Sequence, residues 1–468
     1  MQVKVGLLGL YLELYDQRSP EVREEINGFY TLIAQALGVK GLQVEVQSPC
    51  RVASEFGAAV AAFEKAKVDA IVTLHLAYSP SLESIDSLAG TALPIIVLDT
   101  TPDLDFGPAQ SASRITFNHG IHGVQDLCSL LVRRGKAFAI EAGHWQGSDV
   151  LDRVVNKARG IAAANRFRGA RVGLIGEAFV GMGDFFVSES ELSARYGIEV
   201  SHWPGVAVKK SESDTRALIQ TEADYCRTFI KLDAVPEEIL AGNLRLGIEI
   251  RDWMEKEKLT AFSFNFMAVK KKQSVDRVPF FHAAVAMYEG RGYAGEGDVL
   301  TAALVAALLA LNPVTSFTEM FCPDWADGRI FLSHMGEINP RVCGGTAEAV
   351  HKENKYVDAE PTVYSRGQFM PGKALLVNLV PMDKGPWRLI VCPVDVEKGE
   401  GENFRNSVHG WIRPRMGLAD FLTAYSKVGG THHSALVYHE KVDTIAAFGQ
   451  ALGLEVCTIG GEGNGSAL

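Results

Sequence analysis

The sequence predicts an α/β fold in which two doubly wound parallel-sheet (Rossmann-like) domains are followed by a smaller β-rich C-terminal domain, and three observations carry that expectation. Apolar strand-like runs alternate with helical runs from the first residues onward. A fresh alternating series opens near residue 168. After residue 320 the texture changes to short strands separated by Gly, Pro and Asp turns. Length agrees, because 468 residues exceed one compact core at about 150 residues per domain. The expected domains are residues 1–167, 168–320 and 321–468.

The chain opens on a strand over residues 3–10, then a helix over 21–37, a strand over 44–46, a helix over 53–67, and strands over 70–74 and 94–98. Crossover helices between short apolar strands give a parallel sheet this rhythm. His75 to Ser79 and Asp99 to Asp103 then fall at strand C-terminal ends, where open α/β sheets bind ligands. A basic, Ala-rich helix over 152–167 leads to a strand over 171–176 and a turn containing Val180-Gly181-Met182-Gly183-Asp184. Its glycines lack the GxGxxG spacing of a dinucleotide site, so a tight turn is the better reading. No nicotinamide or flavin is expected.

Polar helices follow over 214–232 and 236–258, then a strand over 261–266. Gly292-Tyr293-Ala294-Gly295-Glu296-Gly297-Asp298 leads into an apolar helix over 299–311. Asp298 is placed as its N-cap, accepting free backbone N–H groups of the first turn. Glu296, between two glycines, has no capping duty and is read as lining a cleft or bonding a loop amide. Strands over 330–332, 374–380 and 387–391 make the third domain, and the Gly-rich tail over 460–468 reads as disordered.

Composition narrows the function classes. A hydrophobic fraction of 47% and a charged fraction of 22% are those of an ordinary globular chain. The formal charge of −10 repels phosphate backbones, so no nucleic-acid partner is expected, and Lys270-Lys271-Lys272 reads as a solvated loop. Seven cysteines without a CxxC pair imply reduced thiols. The N-terminal apolar run meets Glu13 and Asp16 quickly and lacks a cleavage site, and the longest apolar stretch is shorter than the ~20 residues of a bilayer span. A cytoplasmic protein with no membrane partner is expected.

Glu319, Glu337 and the pair His432-His433 follow apolar or Gly-rich segments that tend to run inward. A buried carboxylate without a partner costs several kcal/mol or is neutralised by a shift in its pKa. A divalent metal held by two Glu and one or two His satisfies all of them together.

The run Gly292 to Asp298, the helical Thr301-Ala302-Ala303-Leu304, then Thr315-Ser316-Phe317-Thr318-Glu319, His334-Met335-Gly336-Glu337 and Gly429-Gly430-Thr431-His432-His433 resemble the L-arabinose isomerase family in order and spacing. A weaker likeness reaches Asn118-His119-Gly120-Ile121-His122-Gly123 and Gly143-His144-Trp145-Gln146, so the resemblance covers most of the chain. It implies the three-domain architecture of the arabinose and fucose isomerases, a Mn²⁺-type ion (Co²⁺ or Mg²⁺ being alternatives), and interconversion of an aldose with its ketose. By motif position Glu319 and Glu337 take the two metal-binding, acid-base carboxylates, and His433 takes a metal-ligand position with His432 beside the substrate. His351 takes the family's further histidine ligand. The resemblance also places His122 in a neighbouring subunit's sugar site and Tyr15 near the substrate; Phe266, read on its own, is an aromatic that packs either against the sugar or in the core. It implies a homo-oligomer, a tetramer or hexamer, whose pocket a neighbouring subunit completes. Met320-Phe321-Cys322-Pro323-Asp324-Trp325 and Leu10-Tyr11-Leu12-Glu13-Leu14-Tyr15 depart from the family pattern in loops that shape the sugar pocket.

The chemistry requires such a set. Moving a proton between C1 and C2 of an open-chain aldose needs a base, an acid near the carbonyl, and a cation on the developing enediolate oxygens. A cis-enediol route is expected, and a metal-assisted hydride shift stays open. L-arabinose, D-ribose, D-arabinose and a deoxy sugar such as L-fucose all remain as substrates. Two other classes compete: a non-catalytic sugar-binding or sensing protein, and a metal-dependent lyase or hydrolase acting on a sugar.

Overall fold

The computed structural model describes residues 2–205, 212–399 and 403–461. The chain divides into two compact units, Met1–Ala162 and Ala163–Leu468. Most of the tail read as disordered, residues 462–468, lies outside the described residues.

The first unit carries β1 (Val3–Leu10), β2 (Leu42–Val46), β3 (Ala70–His75), β4 (Ile95–Asp99) and β5 (Phe138–Ala142) in one parallel sheet of order β2-β1-β3-β4-β5. All six residues of β3 are buried, which is why its sequence shows a continuous apolar run rather than an alternation. Close packing of helix on sheet is enforced at Gly6, where a Cβ would stand 2.6 Å from the Phe63 ring. Helices Ser81–Gly90 and Ile121–Arg133 were not anticipated from the sequence. His122 sits in the first turn of the second of these helices.

The second unit begins with β6 (Arg171–Ile175) and β7 (Glu199–His202), then the two-residue β8 (Ile230–Lys231), β9 (Ala261–Phe264) and β10 (Gly292–Gly295). Four of them form a parallel sheet, β10-β9-β6-β7. Then come β11 (Thr315–Asp324), β12 (Arg329–Ser333), β13 (Ala347–Lys352), β14 (Thr362–Gln368), β15 (Gly372–Val380), β16 (Arg388–Glu397), β17 (Val408–Pro414), β18 (His433–Tyr438) and β19 (Glu455–Thr458). The order β16-β15-β18-β11-β12-β17 closes on itself because β16 also pairs with β17, from Val394↔Pro414 to Glu397↔Trp411. The result is a barrel, with Leu332, Leu376, Cys392, Ile412 and Leu436 in its core. The fold is thus mixed α/β, with two parallel sheets and a β-rich portion closed into a barrel.

Helix Val299–Leu311 is buried nearly all round, as its Ala/Leu composition requires. Leu300, Leu304 and Leu308 share one core with Phe262 of β9 and Val377 of β15. The expected boundary at residues 320 and 321 therefore falls inside β11, a strand shared by one continuous core. Among the described residues no helix is long and apolar enough to cross a membrane.

Candidate functional site

Glu319 and His433 meet because they are directly opposed across the antiparallel pair β11 and β18. Glu319 Oε1 lies 2.9 Å from His433 Nε2 and 3.1 Å from His334 Nε2. His334 follows the last residue of β12, whose Ser333 opposes Glu319 on the other side. A register shift between Met320 and Cys322 then bends β11 just beyond the carboxylate. Two strands thus aim two rings at one oxygen.

The parallel sheet supplies the opposite wall. Glu296 comes directly after β10, at its C-terminal end, with a left-handed φ of 62°. Gly295 permits the close approach, since a Cβ there would stand 3.0 Å from His334 Cε1. Glu296 Oε2 is 3.5 Å from His433 Nε2 and 3.7 Å from His432 Nε2. One donor atom from each of Glu296, Glu319, His432 and His433 lies within 4.8 Å of the others.

Both histidines of the pair are oriented from behind. His433 Nδ1 donates to Asp298 Oδ2 at 2.9 Å, and His432 Nδ1 donates to Asp184 Oδ2 at 2.7 Å. Each ring therefore turns Nε2 toward the shared space, the arrangement that metal-binding histidines adopt. Asp298 performs its capping role as well, its Oδ1 accepting from Thr301 N at 2.8 Å. His433 is fully buried, and its Nε2 makes no well-aligned hydrogen bond. A buried nitrogen lone pair facing carboxylate oxygens is the signature of a ligand position.

Glu337 stands one shell further in. Its Oε1 accepts from Tyr293 Oη at 2.9 Å and from His334 Nδ1 at 2.6 Å, while Oε2 accepts from Gly336 N at 2.7 Å. His334 thereby bridges the two glutamates. In the sequence, His334 is visible only as part of the motif ending in Glu337, with no role of its own. Its position three residues before Glu337 was the available signal.

Electrostatics follow from these contacts. Burial raises the Glu319 carboxyl, but His334 and His433 outweigh it and hold the group well below the usual carboxylate range. Glu296 is likewise raised by burial and drawn down, to about 2, by His432 and His433. Burial lowers His334, yet Glu337 and Glu319 lift it to about 10. His432 is lifted to about 9 by Asp184 and Glu296 against its own burial. Glu296, Glu319, Glu337, Asp184 and Asp298 surround His334, His432 and His433. Even with all three rings protonated, two negative charges remain in excess, which matches a divalent cation.

A pH dependence follows. Because the folded pKa of His432 is raised above its usual 6.5 to about 9, its contribution to stability is fully present below about 6.5 and is lost as pH rises through about 9. The melting temperature of chelator-treated protein is expected to fall over that interval. Divalent-ion affinity runs the opposite way, rising with pH because the ion must displace the ring protons. Thermal melts with and without Mn²⁺ across this range check both trends.

The other residues singled out in the sequence are placed as follows. Phe266 lines a cavity of about 480 Å³ together with Phe280, Glu296, Met335 and Tyr356. His351 lies on β13, opposite Val363 of β14, and is not in the four-residue donor group. By strand alternation it shares the face of Ala347 and Ala349, which belong to a separate core cluster with Val363. Tyr15 and His122 belong to the first unit, where Tyr15 Oη bonds His119 Nε2 at 2.9 Å and the His119 and His122 rings are 5.8 Å apart. Asp184 and the second role of Asp298 were missed, Asp184 because nothing in a Gly-rich turn announces a partner 248 positions away.

Residues 314–455, which include Glu319, Glu337, His351 and His432-His433, match the family model described as the L-arabinose isomerase C-terminal domain. The L-arabinose isomerase of Geobacillus thermodenitrificans is 25% identical over 408 residues, covering 83% of this chain and 80% of that protein. The L-arabinose isomerase of Yersinia pestis bv. Antiqua is 24% identical over 447 residues, covering 89% and 84%. That of Levilactobacillus brevis is 23% identical over 411 residues, covering 83% and 84%. Together with the family match across the barrel strands that hold the carboxylate and imidazole ligand candidates, these similarities make the chain similar to the L-arabinose isomerases over most of its length.

Proposed function

We propose that this chain is a metal-dependent aldose-ketose isomerase, an intramolecular oxidoreductase acting on an aldose of pentose or 6-deoxyhexose size with Mn²⁺ as its ion. The observation that carries the reading is the fully buried His433 Nε2, flanked by the Glu319 carboxylate at 2.9 Å and the Glu296 carboxylate at 3.5 Å. Glu296, Glu319, His432 and His433 would hold the ion, an oxygen and imidazole set suited to Mn²⁺, Co²⁺ or Mg²⁺-like chemistry. When bound, a divalent ion supplies Lewis acidity at neighbouring sugar oxygens and acidifies the proton on C2.

The residues supply the rest. Glu319 and Glu337 are joined through His334, so a proton taken up at one carboxylate can be passed along a continuous carboxylate–imidazole–carboxylate chain. Tyr293 fixes Glu337 from behind. Asp298 and Asp184 hold the rings of His433 and His432 in the tautomer that presents Nε2. Phe266, with Tyr356 and Phe280, offers the apolar wall that a sugar's C–H face packs against. By family resemblance, Tyr15 and His122 of a neighbouring copy close the pocket in a homo-oligomer, and His351 corresponds to the family's further histidine ligand.

Ketose formation tests the reading. Chelator-treated protein is expected to lose at least ~100-fold in turnover on its aldose and to regain it with Mn²⁺. Full turnover after thorough chelation would sink the metal mechanism. The product should keep the substrate's mass, whereas a lyase or hydrolase changes it, and a sugar receptor gives no product at all.

A further inference from the structure

We infer that the aldose this site accepts carries an anionic group, a carboxylate or a phosphate, at the end of the molecule away from the reacting carbons. The inference rests on the isomerase reading and names the substrate class within it. The cavity of about 480 Å³ that opens onto Glu296 is of monosaccharide size, and Lys352 and Lys355 also line it. Glu296 of the donor group stands in its wall. Lys352 and Lys355 are the two cations of a wall that is otherwise aromatic, apolar, neutral polar or, at Glu296 and Glu353, acidic.

Lys352 is exposed and makes two contacts among the described residues. Its Nζ donates to Asn406 O at 3.3 Å and lies 4.7 Å from the centre of the Tyr364 ring, another wall residue. Neither contact supplies a counter-charge. Among the described residues, no carboxylate forms an ion pair with Lys352 or Lys355. Arg366, close enough to press on Lys352 electrostatically, is already neutralised by Glu348 at 2.5 Å.

The carboxylates in the same cavity do not cancel this charge. Glu296 is committed to His432 and His433. Glu353 alone remains, against two ammonium groups. A neutral pentose gives Lys352 and Lys355 no charged partner, whereas a terminal carboxylate or phosphate gives charge-assisted hydrogen bonds to either. A substrate chelated at one end and anchored at the other is also fixed in orientation.

The test measures binding by calorimetry and isomerisation by ketose formation, with Mn²⁺ present, for D-ribose, D-ribose 5-phosphate and D-glucuronate. At least one anionic sugar is expected to bind ~10-fold or more tightly than the neutral one, the phosphate and carboxylate arms telling the two anions apart. The Lys352→Met/Lys355→Met double variant should bring that preference toward unity, and Lys352→Arg should keep it. Equal or better binding and turnover of the neutral aldose would overturn the inference while leaving the isomerase reading standing. Absence of isomerisation of any aldose, with metal bound, removes the isomerase reading and this inference together.

Discussion

Glu319→Gln is expected to lower kcat/KM for ketose formation by ~10³-fold or more while leaving the fold intact. Glu319 Oε1 is the atom on which the site converges, lying 2.9 Å from one imidazole nitrogen and 3.1 Å from another. An amide of the same shape keeps the packing but removes the negative charge that both rings face. It also replaces a hard anionic ligand by a weak neutral one, so divalent-ion affinity should fall with activity. Steady-state kinetics with a Mn²⁺ titration, alongside circular dichroism, check the prediction. Wild-type turnover in this variant would remove Glu319 from the mechanism.

Glu337→Gln should cost both stability and activity. The carboxylate is fully buried, and its two oxygens accept from three donors, Tyr293 Oη, His334 Nδ1 and Gly336 N. A glutamine offers one acceptor oxygen and one NH₂ group. With its oxygen toward His334 it sets its NH₂ against Gly336 N, and turned the other way it forces His334 into the neutral tautomer that accepts at Nδ1 and costs Tyr293 Oη its acceptor. Leaving a buried donor unsatisfied costs about 1–3 kcal/mol, and breaking a buried charged pair by altering one partner costs about 3–5 kcal/mol. Destabilisation on the order of 3 kcal/mol in chemical denaturation of metal-free protein is therefore expected. Activity should fall with it, because His334 loses the partner that holds it between the glutamates. Unchanged stability would show that this network does not hold the barrel wall to the parallel sheet.

What the sequence made legible follows the range of the interactions involved. The strands at residues 3–10, 70–75 and 171–175 and the helix at 299–311 announce themselves through local apolar pattern, and Asp298 through its position before that helix. Barrel closure could not be read, because the pairing of Val394 with Pro414 is a long-range register that leaves no local trace. The same divide runs through the site. Glu319, Glu337 and His432-His433 were visible as polar groups ending apolar segments, and Glu296 as a carboxylate between glycines with no capping duty. Asp184 and the bridge made by His334 depend on three-dimensional convergence. His351 rests on the resemblance alone, which carries no sign of which face of β13 it occupies.

The proposal comes down to one cation among Glu296, Glu319, His432 and His433, and locating that ion tests it most directly. Anomalous diffraction at the manganese edge, from crystals grown with Mn²⁺, should show a single strong peak in the space shared by Glu319 and the Nε2 atom of His433. A peak bound elsewhere, or no peak from protein that nevertheless isomerises an aldose, would contradict it.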